Sequence, residues 1–516
     1  MVAAVPAVVR KLIRNAIFNT IGRFWMLGVG FLLTPYIVSR LGTERFGVWA
    51  LVLTVLAGAG FIDLGIGAAL VPHIAEAVAR DDRIALGEWL GTALAANLML
   101  TLLAALGLLA GTGWLLATVA IPADLLAEAR VTLQLAVLLF AVANIAALTQ
   151  SVLVGLQRLG HLNGILWLVS LVQIGAIIWA LSRGHGMIVL VWINVATNLL
   201  TFLGCTAVIR RSLPGPLLVA WRPDRLRSLL AYGLRVQFIQ LAAVVTHQAG
   251  KVLLGATLLV SAVAAYELGY RVALTLVSLP LMLLPAIAPA VAELHEQADA
   301  SAVRRLYEEG SRYLALATIP LGVFAIWAGP GLITAWLADE AGALLPQVIL
   351  AARWLLFALF VNVVTGVATS IARGLKNPRL ESQYAALTAV LTVVFGLWWV
   401  RLWGFVGPLA AFGIASLVAT VFFLVFFHRQ IALPLHPFLV HVYGPPLLAA
   451  SVALAATVLS THLLPLPTLD VGRLALIGAL LPVALLFAAV YAIALLLLGA
   501  LTTADLRYLR LLVSQR

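Results

Sequence analysis

Apolar residues run in blocks of about 20 or more along almost the whole chain, the length a helix needs to cross the hydrocarbon of a bilayer. Short polar connections separate the blocks, which predict helices near 16–39, 46–72, 89–116, 131–155, 164–182, 187–209, 230–256, 263–289, 313–336, 346–372, 384–400, 404–427, 438–460 and 474–498. The pattern describes an all-α polytopic membrane protein of about 14 transmembrane helices. It also repeats. Residues 70–76 read Leu-Val-Pro-His-Ile-Ala-Glu and residues 287–293 read Ile-Ala-Pro-Ala-Val-Ala-Glu, ending two apolar runs 217 positions apart. Gly155-Leu156-Gln157-Arg158 and Gly374-Leu375-Lys376-Asn377 follow the fourth and tenth runs at nearly the same offset.

The doubling divides the chain into a six-helix lobe at 1–212, a second at 213–430, and two additional helices with a tail at 431–516. In polytopic proteins built this way the substrate path lies between the repeats. No Lys, Arg, Asp or Glu occurs between Arg429 and Asp470, so the additional helices are expected to face lipid. No polar stretch is long enough for a soluble domain; the longest connections are near 210–229 and 290–312.

Composition makes the bilayer the solvent. The chain is 63% hydrophobic and 10% charged, with a mean hydropathy of +1.10, too apolar for one aqueous core. Its net charge of +12 would suggest nucleic acid in a soluble protein, but the basic residues gather in short loops. With the N-terminus inside, the inner loops and tails collect most of them, from Arg10, Lys11 and Arg14 through Arg80, Arg222 and Arg225 to Arg510, while the outer loops hold only Arg40, Arg45, Arg130, Arg183, Arg401 and Arg473. That bias predicts an even number of spans and both termini in the cytoplasm, with no nucleic-acid partner. The first apolar run is too long for a signal-peptide core and lacks a small-residue cleavage site, so it reads as a retained span.

Few catalytic options survive. No Walker-type glycine loop is present, and the single cysteine, Cys205, lies in an apolar run without metal-ligand spacing. Gly65-Ile66-Gly67 sits within a span, where small residues let helices pack closely. Asp81-Asp82, Glu308-Glu309 and Asp339-Glu340 fall in short loops and read as solvated charge rather than metal or sugar-nucleotide sites. No cofactor is implied.

Two stretches resemble a known family. Val38-Ser39-Arg40-Leu41-Gly42-Thr43-Glu44-Arg45-Phe46-Gly47-Val48-Trp49-Ala50, followed by Ile62-Asp63-Leu64-Gly65-Ile66-Gly67, is similar to the first hairpin of bacterial polysaccharide flippases, which belong to the multidrug, oligosaccharidyl-lipid and polysaccharide (MOP) exporter superfamily. Ala265-Tyr266-Glu267-Leu268-Gly269-Tyr270-Arg271, running to Pro285 and Pro289, is similar to that family's eighth span. The likeness covers the first twelve helices and is weakest over the last two. It implies a V-shaped pair of pseudo-symmetric six-helix lobes around a central cavity, in the inner membrane. It also implies alternating-access flipping of undecaprenyl-diphosphate-linked oligosaccharides for lipopolysaccharide or exopolysaccharide synthesis, without enzymatic activity. Partners would be the lipid-linked glycan, membrane lipids, and a polysaccharide polymerase or glycosyltransferases. A lipid II flippase and a cation-coupled multidrug exporter share the fold. A polytopic glycan polymerase or glycosyltransferase is the alternative of another class, but it calls for a sizeable outer loop carrying catalytic residues, and the outer loops here are short.

Ionisable groups inside the spans cost about 2.5–3.5 kcal/mol each on insertion scales, so they need partners or water. Arg23 and Asp63 lie at similar depths on either side of the turn near Gly42, as Lys251 and Glu267 do about the turn near Leu258. Each pair is read either as a structural salt bridge or as part of a ligand site, with Asp63 and Glu267 as ion-coupling candidates. Arg271 lies one helical turn beyond Glu267 on the same face, continued by Thr275 and Ser278. Gln237, Gln240, His247 and Lys251, spaced three, seven and four apart, share one side of the preceding helix. A diphosphate crossing hydrocarbon needs cations, and guanidinium meets it with directed hydrogen bonds. Arg271 is the first candidate for that contact, followed by Arg23 and Lys251. Gln240, His247 and Asn362 are candidates for polar contacts, although His247 also reads as a hydrogen-bonding packer. Asn362, Thr365 and Thr369 either touch sugar hydroxyls or hold helices together. Arg235 and Arg353 lie nearer span ends, where snorkelling explains them.

Overall fold

The computed structural model describes Trp25 and residues 28–213, 220–282, 284–287, 291, 293, 300–375, 379–463 and 473–500. These residues are helical almost throughout and contain no β-strand beyond one isolated bridge, Ala120 to Leu259. In chain order the helices are α1 Gly28–Leu41, α2 Thr43–Ala59, α3 Ile66–Ala79, α4 Arg83–Thr118, α5 Leu126–Gly155, α6 Leu159–Ser182, α7 Met187–Ser212, α8 Pro223–Thr257, α9 Val260–Leu281, α10 Ala300–Leu337, α11 Leu345–Val363, α12 Gly366–Gly374, α13 Arg379–Trp403, α14 Val406–Gln430, α15 Leu435–Leu463 and α16 Arg473–Leu497.

Among the described residues, 11 helical segments are long and apolar enough to cross a membrane. They match eleven of the expected spans. The other three depart for separate reasons. The run at 16–39 is described only from α1 onward, its earlier part lying outside the described residues. The run at 46–72 is broken between α2 and α3. The run at 230–256 forms α8, 35 residues long, whose glutamines, His247 and Lys251 make it too polar to read as an ordinary span.

By its contacts the chain forms two compact units, residues 1–264 and 265–516. In the first, α3, α4, α5 and α8 surround a core of Ile66, Leu70, Ile74, Leu86, Trp89 and Leu229. A second core, Leu153, Leu162 and Cys205, joins α5 to α6 and α7. Polar side chains tie the same helices within the apolar spans: Gln173 donates to Asn194 at 3.0 Å and Asn144 to Thr101 at 3.2 Å. In the second unit α13 and α14 form a tight hairpin, and α11 packs against α14. Tyr307 of α10 bonds to His428 of α14 at 2.9 Å and stacks on Phe438 of α15.

The two additional helices lie against α10. Small residues Ala449, Ala450 and Ala453 of α15 let Phe487 and Tyr491 of α16 pack close, beside Leu316, Ile319 and Val323 of α10. The Tyr491 hydroxyl donates to the Leu316 carbonyl at 3.0 Å, and Arg312 donates to the Ala500 carbonyl at 2.7 Å. Leu481, Leu485 and Leu497 stay exposed on α16, an apolar surface that suits lipid, the environment expected for this pair.

Candidate functional site at the broken helices

Backbone inside a membrane normally remains helical, because an unpaired peptide group there costs several kcal/mol. Departures from the helix therefore mark places that protein or water must satisfy. The first lies between α2 and α3, where residues 60–63 form one turn of tighter helix and Leu64 and Gly65 take left-handed conformations, with φ of 50° and 73°. The local cause is legible: glycines at 58, 60 and 65 weaken the helix, and an aspartate competes for backbone N–H groups. Asp63 Oδ1 accepts from the Gly65 N–H at 2.9 Å, bracing the turn that leads into α3.

The same oxygen accepts from Gln237 Nε2 of α8 at 3.3 Å. Just beside this bond the two backbones meet. A Cβ on Gly65 would lie 2.7 Å from the Gly233 carbonyl oxygen, so neither position has room for a side chain. Gly233 and Gln237 are one helical turn apart on α8, and they bring that helix onto the break through a backbone contact and a hydrogen bond together. Arg23, the expected partner of Asp63, lies outside the described residues, and the partners found are Gln237 and the local backbone.

Further along α8, Thr54 of α2 donates to Gln248 Oε1 at 3.2 Å. Lys251 is buried, only 4% exposed, while His247 is half-buried and Gln240 exposed. The side chain of Arg235 lies outside the described ones.

The second unit holds the other members. On α9, Arg271 Nε donates to Glu267 Oε1 at 2.9 Å, joining two residues that their spacing of four places on one face. Thr275 and Ser278 continue along the helix, but their hydroxyls bond to the carbonyls of Arg271 and Thr275, at 2.7 and 2.6 Å. They offer less outward polarity than the sequence suggests. The expected helix at 263–289 stops at Leu281, just after Pro280, and a short tight turn, Leu284–Ala286, follows. Shifted by the 217-residue repeat, the break at 60–65 falls on 277–282, over the last turn of α9 and just before the turn at Leu284–Ala286, so the two interruptions lie near each other in the repeat without coinciding. Interruptions at neighbouring places in two repeats resemble the pattern that marks substrate sites in secondary transporters.

The expected helix at 346–372 also divides, into α11 and α12 at Val364 and Thr365. Thr365 donates its hydroxyl to the Asn362 carbonyl at 2.9 Å and Thr369 to that of Gly366 at 3.0 Å. Asn362 Oδ1 accepts from the Tyr384 hydroxyl of α13 at 2.8 Å. The polar triad thus stabilises a turn and ties it to α13. Arg353 is exposed, in keeping with a snorkelling residue.

Some contacts have no local signal in the sequence. Glu88 of α4 is clasped by Arg222 and Arg225 at the start of α8, at 2.8 and 3.2 Å. In the second unit, Arg373 Nε reaches both carboxylate oxygens of buried Glu381 at 3.0 Å. Each of these residues reads singly as charge near a loop, and only the fold makes them partners.

Solved structures of MOP-superfamily transporters share this all-helical fold. An inward-facing multidrug resistance MATE family transporter aligns with a TM-score of 0.68 at 15% identity, covering 80% of this chain and 94% of that one. The lipid II flippase MurJ, in an inward closed conformation, aligns with a TM-score of 0.66 at 14% identity, covering 94% of this chain and 100% of that one. A MOP transporter from Pyrococcus furiosus aligns with a TM-score of 0.59 at 16% identity, covering 82% and 95%. No curated protein matches the sequence significantly. The model of the polysaccharide biosynthesis protein family matches residues 12–295, more than half of the chain. The chain belongs to that family.

Proposed function

We propose that this protein flips an undecaprenyl-diphosphate-linked oligosaccharide across the bacterial inner membrane, exposing its polar sites alternately to the two faces, without covalent chemistry. Arg271 carries the reading. It sits within a membrane-spanning helix, is aligned by Glu267 one turn away, and keeps 23% of its side chain exposed. A cation held there meets the chemical need of a diphosphate leaving water, and the glycan's hydroxyls can remain hydrated while the polyprenyl tail stays in lipid. Family membership supports polysaccharide precursors as the cargo. Differential affinity in the two states would drive the exchange, with Asp63 and Glu267 as the groups to couple it to an ion. Lys251 and the polar face of α8, with Gln240 and His247, supply further contacts in this reading, as do Arg23 and Asn362. A glycan polymerase or glycosyltransferases would then use the product on the outer face.

The lipid II flippase alignment spans 94% of this chain, against 80% for the inward-facing MATE transporter and 82% for the Pyrococcus furiosus transporter, which keeps lipid II as the second cargo to test. The experiment is translocation of a fluorescent undecaprenyl-diphosphate glycan in proteoliposomes, with lipid II and a cationic drug run in parallel. Transport of the glycan by the intact chain, lost in Arg271→Ala at equal reconstitution, is the expected result. Drug efflux with no movement of either lipid-linked substrate would move the protein to the exporter branch.

A further inference from the structure

Away from the broken helices, at the end of the first unit where α3 finishes and α4 and α8 begin, two arginines converge on one carboxylate. Arg222 Nε reaches Glu88 Oε1 at 2.8 Å, and Arg225 Nη2 reaches Glu88 Oε2 at 3.2 Å. Each oxygen of the carboxylate has its own guanidinium, and the cluster of three keeps a net positive charge. Glu76, the neighbouring carboxylate on α3, is paired with Arg80.

Both arginines are positioned by contacts that do not involve Glu88. The Arg225 guanidinium lies 4.4 Å from the ring centroid of Trp89, a cation–π contact, and Trp89 is itself stacked on His73 at 3.9 Å with an interplanar angle of 7°. The Arg222 backbone N–H donates to Thr92 Oγ1 at 3.0 Å, one helical turn along α4 from Glu88. Arg222 is 59% exposed and Arg225 34%, whereas Glu88 is only 13% exposed. The cations therefore face outward, over a carboxylate that lies beneath them. Trp89 holds the Arg225 guanidinium from behind and Thr92 fixes the Arg222 main chain, and both cations nonetheless stay accessible.

We propose that Arg222 and Arg225 form a docking site for the phosphate head of a membrane amphiphile, with Glu88 as the anion that occupies it at rest. Two forked guanidiniums over a pair of oxygens are the geometry that recognises phosphate as readily as carboxylate. The loops carrying these residues lie on the face that the charge bias assigns to the cytoplasm, where a lipid-linked precursor is made. Resting on the flippase reading, the site takes the diphosphate from the membrane surface before it meets Arg271.

The test uses the full chain in nanodiscs and measures binding of undecaprenyl diphosphate, and separately of phosphatidylglycerol, by native mass spectrometry. Glu88→Gln keeps the hydrogen-bonding shape but removes the competing charge, so the docking site requires tighter binding, by several-fold. Arg222→Gln combined with Arg225→Gln should weaken binding by at least about tenfold, the loss of two exposed ionic contacts. A merely structural tie gives the opposite sign: Glu88→Gln leaves affinity unchanged or lowers it, and that outcome overturns the inference. If Glu88→Gln tightens phosphatidylglycerol but not undecaprenyl diphosphate, the phosphate site stands and its ligand is bulk lipid. Binding that responds as expected at Glu88 while glycan transport is absent from the intact chain would sink the flippase reading and leave the docking site standing. Transport that depends on Arg271 with no response at Glu88 would do the reverse.

Discussion

The side-chain amide of Gln237 donates to the carboxylate of Asp63 across 3.3 Å, tying α8 to the break between α2 and α3. Four residues away, the backbone of Gly233 rests on that of Gly65. Within the first compact unit, α8 is thus held to the interrupted helix by one polar and one close-packed contact. Any movement of α8 along α3 has to break the hydrogen bond and slide the glycines apart.

Asp63 supports both its own turn and α8, so its loss should cost more than that of Gln237. Asp63→Ala removes the acceptor for two donors and is expected to destabilise the protein by about 1–3 kcal/mol. Gln237→Ala removes one bond and should cost about 0.5–1.5 kcal/mol. Thermal unfolding in detergent, followed by tryptophan fluorescence, gives the ranking. Equal losses would mean that the turn at 63–65 is held by something other than its carboxylate.

Gly65→Ala combines two penalties, a left-handed backbone and a Cβ driven into Gly233. Gly42 carries a backbone penalty without a steric one, since its φ of +79° and ψ of 164° lie in a region essentially reserved for glycine and a Cβ added there would meet nothing within 4 Å. Gly42→Ala should therefore cost about 1–3 kcal/mol for the backbone alone, and Gly65→Ala about 1–2 kcal/mol for its left-handed backbone plus about 1–3 kcal/mol for overpacking. The same melting measurement reads the difference, and similar values would show that α3 and α8 yield easily to the added methyl.

Cys205 is fully buried in the α5, α6 and α7 core, so a maleimide should label the native protein only after unfolding. In a Cys205→Ser background, Arg183→Cys should react with an impermeant maleimide added to spheroplasts, and Arg80→Cys should react only once the membrane is opened. Both arginines are exposed in loops that the charge bias assigns to opposite faces. The reverse pattern would invert the orientation argued from loop charge.

Much of this molecule is written in its hydropathy. Twenty-residue apolar runs have one stable state in lipid, so the helices from α4 to α7 and from α13 to α16 follow from the pattern alone. The Glu267–Arg271 pair is equally legible, because its partners lie on one helix at a fixed spacing of four. The family resemblance also rests on contiguous residues.

Partners on different helices are another matter. Asp63 invites a pairing with a cation at equal depth, and nothing local in its sequence announces the bond from Gln237 that the fold adds, 174 positions away. Glu88 is one more charge near a span end until α8 brings Arg222 and Arg225 to it across more than 130 positions of sequence. The breaks at 60–65 and at 364–365 lie in stretches whose hydropathy favours an unbroken span, and glycine, threonine and neighbouring helices decide there where the backbone turns. Bilayer hydropathy dictates that a segment is helical and buried, because that free energy depends on composition summed over a window. Which polar groups meet depends on helix rotation and packing, which are set by contacts between distant segments and have no expression in any local stretch of sequence.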